Sequence, residues 1–436
     1  MTSARDNDEL TRVGPGTVMG ELMRQYWIPA CLSSELEPGG DPMRLLLLGE
    51  QLIAFRDGDG RVGIMDHRCP HRCASLFFAR AEGDGLRCVY HGWKFDADGK
   101  CLDMPNLPPE QDFKHRIHAK AYKTAERGGL IWTYMGPRAE APPLPNIDSL
   151  ALPEDERITR CHQRECNWLQ ALEGDIDTSH FSFLHLGTLE ADEVPADSMH
   201  RFNLIDRAPR YHVVDADWGT MYTAYRPAEP GQVYYRFSQF IFPFITLPPD
   251  GTFTDHIQAG IWVPMDDTHT MVFTFFWTKR TESLRRLKDG SPIPGSVSPM
   301  AFLPRGTGWY DRWRLSAHAG NDYLIDRAVQ RDGTYSGLQG LVAQDQAVTE
   351  SMGAMVDRSL EHLAPSDRMI TMTRRRLLNA ARALRDQGTV PPGVDNPEVF
   401  RGARAGAFIV PEGKDWREAY DEHLGRSIGP RLEAAE

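Results

Sequence analysis

The sequence predicts an α+β protein in two parts: a small β-rich N-terminal domain over residues 1–145 and a larger mixed domain over residues 146–436. Three observations predict it. Short apolar runs recur between Met43 and Gly136 at intervals of about 8–12 residues, broken by turn formers, as in a compact barrel or sandwich. A proline-rich stretch at 137–149, GPRAEAPPLPNID, then interrupts the pattern as a linker does. Beyond it strand-like and helix-like segments mix without a repeat of fixed period, and the last third turns helical.

In chain order, Arg44–Leu48, Leu52–Arg56 and Val62–Asp66 are expected strands, separated by turns at Gly49–Glu50 and Asp57–Gly60. Leu86–Tyr90, Lys94–Asp96 and Gly129–Met135 extend the series, with Asp98–Gly99 as a hairpin turn. In the second part Asn167–Gly174 looks helical, whereas Tyr211–Tyr225, Tyr234–Thr246 and two segments within His256–Trp277 look like strands. Ser366 is placed to cap a helix running to Gln387 and stopped by Gly388. Its stripe of Met369, Met372, Leu377, Ala380 and Leu384 is core packing.

The 436 residues carry 49 Lys+Arg against 61 Asp+Glu, a formal charge of −12, which argues against a nucleic-acid binder and suits a basic protein partner. Seven cysteines are too few, and odd in number, for a disulfide scaffold, so reduced thiols or metal ligands are expected. No apolar run approaches the ~20 residues that span a bilayer, and Met1–Leu10 lacks the apolar core of a secretory signal. A cytoplasmic protein without membrane contact is the expectation.

Residues 69–91, CPHRCASLFFARAEGDGLRCVYH, hold a C-x-H pair, Cys69 and His71, and a C-x-x-H pair, Cys88 and His91. Two loops each offering one thiolate and one imidazole make a Cys2His2 site. Zinc takes that donor set, but zinc modules favour C-x-x-C knuckles and H-x3–5-H helices. A Rieske [2Fe–2S] cluster puts two Cys on one iron and two His on the other, which a mixed pair on each loop supplies naturally. Cys73 has no thiol counterpart in the second loop and is expected to be a packed free thiol. No hydroxyl residue follows His91, which predicts a potential toward the low end of the Rieske range.

Residues 167–185, NWLQALEGDIDTSHFSFLH, place His180 and His185 five apart and Asp177 three before His180. A close histidine pair can be a buried neutral pair. Here it sits beside Asn167, Gln170, Glu173, Asp175 and Asp177, which are costly to bury without partners. Two His and one carboxylate with open positions form the facial triad of non-haem Fe(II) oxygenases. Asp177 suits the role of hydrogen-bond acceptor that orients His180, so the third ligand comes from elsewhere. Asp345 lies among Leu338, Leu341, Val342 and Val348, where ligation would justify a carboxylate; Glu350 is the alternative.

These segments, together with LTRVGPGTVMGELMRQYWIPA and QDQAVTES, resemble the Rieske non-haem iron ring-hydroxylating oxygenases over almost the whole chain, specifically the oxygenase subunits of the phthalate dioxygenase-like branch. The resemblance implies a Rieske β-domain followed by a helix-grip-like catalytic domain around an antiparallel sheet. It implies that Cys69, His71, Cys88 and His91 ligate the cluster and that His180, His185 and Asp345 hold one mononuclear Fe(II). Asp177 would be catalytic, linking His180 to the counterpart of His91 on a neighbouring subunit in a homo-trimer or dimer of trimers. Electrons would come from an NADH-dependent flavin and ferredoxin-type reductase; the chain has no G-x-G-x-x-G of its own.

The expected substrates are O2 and an aromatic carboxylate, with Arg207 as its anchor and Phe181, Phe240 and Phe242 lining an apolar pocket. Ring hydroxylation is the expected reaction, with O-demethylation of a methoxylated acid as the alternative outcome of the same iron chemistry. A Rieske electron carrier without a second metal would need only about a hundred residues and would leave most of the chain unexplained.

Overall fold

The structure is a computed structural model that describes residues 2–278, 286–297, 299–427 and 429. Two short helices, α1 (Ala4–Thr11) and α2 (Val18–Met23), open the chain, each capped by a hydroxyl side chain, Ser3 and Thr17. Strands β1 (Trp27–Leu32), β2 (Met43–Leu47), β3 (Glu50–Arg56) and β4 (Val62–Asp66) follow. A four-stranded antiparallel insert then carries β5 (Arg80–Glu82), β6 (Gly85–Arg87), β7 (Lys94–Phe95) and β8 (Cys101–Asp103). Finally β9 (Ala121–Arg127) and β10 (Leu130–Tyr134) close a six-stranded sheet in the order β1-β10-β9-β4-β3-β2. The Leu86–Tyr90 run is therefore strand only as far as Arg87, because the residues after it form a loop tip.

The second half is built on one antiparallel sheet. Its strands are β11 (Arg157–Arg164), β12 (Arg210–Ala216), β13 (Gly219–Pro227), β14 (Gln232–Ile241), β15 (Ile245–Leu247), β16 (Gln258–Pro264), β17 (Thr270–Trp277) and β18 (Gly406–Pro411). The order is β11-β17-β16-β15-β14-β13-β12, and β18 pairs with the first half of β14, leaving the second half to β15. The last third is thus not purely helical: GAFIVP returns as a strand. Helices α3 (Asp148–Ala151), α4 (Trp168–Ile176), α5 (His200–Ile205), α6 (Arg327–Asp332), α7 (Leu341–Glu350), α8 (Arg368–Gln387) and α9 (Trp416–Arg426) complete the chain.

Helix α4 starts where Asn167 Oδ1 accepts from Leu169 N–H, and it packs on β14, β15, β16 and α7. Helix α8 lies over β12 and β13 and takes α1 and α2 on its other side. Its end matches expectation, with Gly388 at φ +68. Its start does not: Ser366 lies inside a preceding 3-10 turn, Pro365–Asp367, and Asp367 is the residue at the cap position.

One apolar core runs through both halves, from Leu10 through Trp132 and Trp168 to Ala405. A buried polar knot joins them as well. Glu35 accepts from Arg312 Nε (3.0 Å) and Nη2 (2.6 Å), from Trp313 Nε1 (3.0 Å) and from its own neighbour Leu32 N (3.0 Å). Burial opposes its charge, but Arg312 outweighs it and holds the Glu35 carboxyl below the ordinary value. A second buried network, Glu173 with Arg358 (3.0 Å) and Arg374 (2.6 Å), pins α4 to α8.

Candidate metal centres and substrate cavity

The two cysteine–histidine loops fold to one pattern. In the first, Cys73 N–H donates to Cys69 O (2.9 Å) and Cys69 N–H to Ala74 O (2.8 Å). In the second, Gly92 N–H donates to Cys88 O (3.0 Å) and Cys88 N–H to Trp93 O (2.8 Å). The fourth residue after each cysteine has positive φ, +58 at Cys73 and +80 at Gly92. Cys73 therefore occupies a position where the sister loop uses glycine, and its side chain is exposed, not packed as the sequence suggested.

The arrangement suits a cluster. Backbone N–H groups of His71 and Arg72 point at the Cys69 sulfur, and those of Tyr90 and His91 at the Cys88 sulfur. The two thiols share a hydrogen bond that pushes Cys69 up and draws Cys88 down to about 6. The His71 and His91 rings meet edge to face with centroids 4.4 Å apart, and Trp93 stacks on His71 at 4.3 Å. The thiols pair with each other and the imidazoles with each other, the division of donors that a [2Fe–2S] cluster would use.

A second group does converge. Among the described residues, His180, His185 and Asp345 are the set whose donor atoms all lie within 4.8 Å of one another. The Nε2 atoms are 3.1 Å apart, and Asp345 Oδ1 is 3.2 Å from His185 Nε2 and 3.6 Å from His180 Nε2. Donors around one ion with bonds of about 2.1 Å lie about 3.0–3.4 Å apart, so the set fits a single metal. His180 stands at the head of a π-helical turn, Phe181–His185, that brings the second histidine round to the first; such turns recur at functional sites. Asp345 comes from α7.

Hydrogen bonds aim both rings. Asp177 Oδ2 lies 3.4 Å from His180 Nδ1, while its Oδ1 accepts from Ser179 N and Oγ, both 2.7 Å. Burial disfavours the charged forms, yet the Asp177 hydrogen bond raises His180 and lowers Asp177 itself. Gln344 Oε1 accepts from His185 Nδ1 at 2.6 Å. Glu350 is turned away, accepting from Glu165 N (2.8 Å) and Tyr323 Oη (2.9 Å).

The triad opens into a cavity of about 150 Å³, a volume that holds one benzene ring. Its wall is the face of the sheet on which Arg160, Thr274 and Gly260 stand in one row and His162, Val272 and Trp262 in the next. Gly260 leaves room for the Trp262 Nε1–Thr246 Oγ1–Asp175 chain, since a Cβ there would lie 2.9 Å from Thr246 Oγ1. Burial raises Asp175 to about 7.

Two family matches divide the chain. Residues 26–123 match the Rieske [2Fe-2S] domain, and residues 133–434 match the LigXa C-terminal domain like family. The chain is 51% identical over 430 residues to the 3-chlorobenzoate-3,4-dioxygenase oxygenase subunit of Comamonas testosteroni, covering 97% of this chain and 99% of that one. The chain is a Rieske oxygenase alpha subunit. It is also 35% identical to the phthalate 4,5-dioxygenase oxygenase subunit of Pseudomonas putida, covering 96% and 94% of the two chains. The crystal structure of dicamba monooxygenase bound to dicamba shares the fold, with a TM-score of 0.56 at 18% identity over 84% of this chain and 99% of that one. The cofactors of this Rieske oxygenase are one [2Fe–2S] cluster and one mononuclear iron.

Among the residues expected at the substrate, Phe181 lines the cavity of this Rieske oxygenase. Phe240 and Phe242 do not; both are fully buried in the main core. Arg207 does not line it either. Its guanidinium donates to Ser182 O (2.5 Å), Gly187 O (3.4 Å) and Leu189 O (2.7 Å), fastening the segment that carries His185. The sequence reasoning missed Gln344, His162, Arg164 and Arg236. The alternation Arg160, His162, Arg164 within RITRCHQR was the available signal for one polar face of β11.

Proposed function

We propose that this Rieske oxygenase uses O2 and reductase-delivered electrons to dihydroxylate the ring of a benzoate-type aromatic carboxylate, 3-chlorobenzoate being the first compound to try. The observation that carries this is the cavity itself: room for one aromatic ring, walled by Phe181, Val272 and Phe276, with a two-histidine, one-carboxylate metal site on one side and arginines on another. The 51% identity to the 3-chlorobenzoate enzyme supports the substrate class.

Cys69, His71, Cys88 and His91 hold the cluster, and His180, His185 and Asp345 hold the mononuclear iron. When bound, the two centres supply electron transfer and O2 activation. The chain's own residues do the rest. Asp177 and Gln344 fix the direction of the two imidazoles, and Asp177 would link His180 to the counterpart of His91 on a neighbouring subunit. The apolar wall holds the ring over the metal site and keeps bulk water from it. Assembly is as a homo-trimer or dimer of trimers, the reductase is an NADH-dependent flavin and ferredoxin-type protein, and the setting is cytoplasmic; no described helix is long and apolar enough to cross a membrane.

Product analysis with a working reductase tests the reading, using 18O2 and either 3-chlorobenzoate, phthalate or a methoxylated benzoate. A cis-dihydrodiol bearing two labelled oxygens from 3-chlorobenzoate is the expected product. Formaldehyde from the methoxylated acid alone would assign O-demethylation instead. Oxidation of none of them by fully loaded enzyme refutes an aromatic-acid oxygenase.

A further inference from the structure

Two cavity groups are left with donors to spare. His162 is 2% exposed, and neither of its ring nitrogens has a partner. Arg164 is 3% exposed; its Nε is unpartnered and its Nη1 makes one long contact, 3.5 Å to Thr349 Oγ1. It forms no ion pair among the described residues. The carboxylates that share its field are committed elsewhere, Asp345 to the metal set and Glu350 to Glu165 N and Tyr323 Oη. A buried guanidinium without a counterion is strongly unfavourable unless an anion arrives to pair with it.

The other two cavity arginines are already provided for. Arg236 donates to Thr178 Oγ1 (2.7 Å) and Pro249 O (3.2 Å), has Asp250 at 3.9 Å and keeps only Nε free. Arg160 is exposed to water and lies over the Phe276 ring at 5.6 Å. One desolvated, unneutralised cation therefore faces the cavity, with a donor-capable imidazole beside it. Positions 162 and 164 share a face of β11, about 6.6 Å apart along the strand, a span one carboxylate can bridge.

We propose that Arg164 and His162 anchor the substrate's carboxylate, and that the cavity accepts one carboxylate only, selecting an aromatic monocarboxylate over an ortho-dicarboxylate. The proposal rests on the aromatic-acid reading above and specifies its recognition. The Arg164 guanidinium donates to the carboxylate and His162 adds one N–H. Burial and the adjacent Arg164 charge keep His162 uncharged, so it contributes a donor without a second positive charge. A second carboxylate on the ring would meet no further buried, unpaired cation, since Arg160 stands in water at the cavity's edge, and Asp175, Asp177 and Asp250 line the same cavity.

The test compares 3-chlorobenzoate with 3-chlorobenzamide, equal in size but uncharged, in wild type, Arg164→Gln and Arg164→Lys, with iron content and the Rieske spectrum checked in each. Wild type should prefer the acid by about 100-fold or more in kcat/KM. Arg164→Gln should lose that preference mainly through KM, and Arg164→Lys should recover part of it. A merely structural role would lower turnover of acid and amide alike. Wild type indifferent to the charge, Arg164→Gln that keeps the preference, or phthalate used as well as 3-chlorobenzoate each overturns the proposal, two of these on wild type alone. If wild type oxidises neither these two compounds nor phthalate nor a methoxylated benzoate, the aromatic-acid reading fails and the anchor with it.

Discussion

Replacing Gln344 with leucine isolates how His185, the second histidine of the proposed iron site, is aimed. The amide Nε2 gives one proton to Gly295 O (3.0 Å) and the other to Leu338 O (2.9 Å), so Oε1 is turned to His185 Nδ1 at 2.6 Å. An acceptor at that point requires the Nδ1–H tautomer, which leaves the Nε2 lone pair facing His180 and Asp345. Leucine removes the acceptor and strands two buried groups, His185 Nδ1 and Leu338 O, each at a cost of about 1–3 kcal/mol if it stays dry, and the half-buried Gly295 O besides. Loss of such an orienting partner lowers metal affinity about 10–100-fold, or about 1.4–2.7 kcal/mol. Competition of the apo-protein against a chromogenic chelator measures the iron affinity, with circular dichroism as the check on folding. Gln344→Glu separates the two roles: it keeps an acceptor at Nδ1 but loses both donated bonds, so thermal stability falls while iron affinity stays closer to wild type. A folded Gln344→Leu protein that binds iron as tightly as wild type would refute the tautomer argument.

Three further outcomes follow from the same geometry. Asp177→Asn should retain both metals but lose product formation, because Asp177 is outside the donor set yet contacts His180; wild-type turnover would remove it from the electron's route. Arg207→Ala should loosen the segment carrying His185 and lower iron retention without changing the preference for acid over amide; a selective rise in KM for the acid would restore Arg207 as an anchor. Glu173→Ala leaves the buried Arg358 guanidinium without a carboxylate, while Arg374 keeps Glu361, and should cost about 3–5 kcal/mol in urea unfolding. Burial opposes the Glu173 charge, but Arg358 and Arg374 prevail and hold its carboxyl below the ordinary 4.5. Its contribution is therefore complete above about pH 4.5 and fades as pH falls through the lower folded value, so the variant's acid limb should be shallower than wild type's.

The candidate donor sets were legible because they are local. Cys69, His71, Cys88 and His91 sit on two loops whose spacing alone sets the donor pairs, and His180 and His185 share one turn. Asp345 is distant in sequence, but a carboxylate in an apolar helix stood out. What escaped was set by partners far along the chain. The basic face of β11 becomes a cavity wall only because β17, more than a hundred residues later, pairs with it and α4 and α7 cover it. Arg207 looked like a free anchor because the carbonyls it holds belong to an irregular turn. Phe240 and Phe242 illustrate the converse, since aromatic residues near a site are core unless the fold turns them toward it.

The Glu35 knot bears on how such enzymes can be recombined. A chimera that takes residues 26–123 from one relative and the remainder from another places Glu35 opposite a foreign 305–313 segment, and Arg305, Arg312 and Trp313 all reach that one carboxylate. Without them it stays 2% exposed at a seam with no cation to meet it. The unit of exchange is therefore the electron-accepting domain together with this distant strip of the catalytic domain. Exchanges drawn at the linker should yield aggregated protein, and those that carry both pieces should yield coloured, folded enzyme.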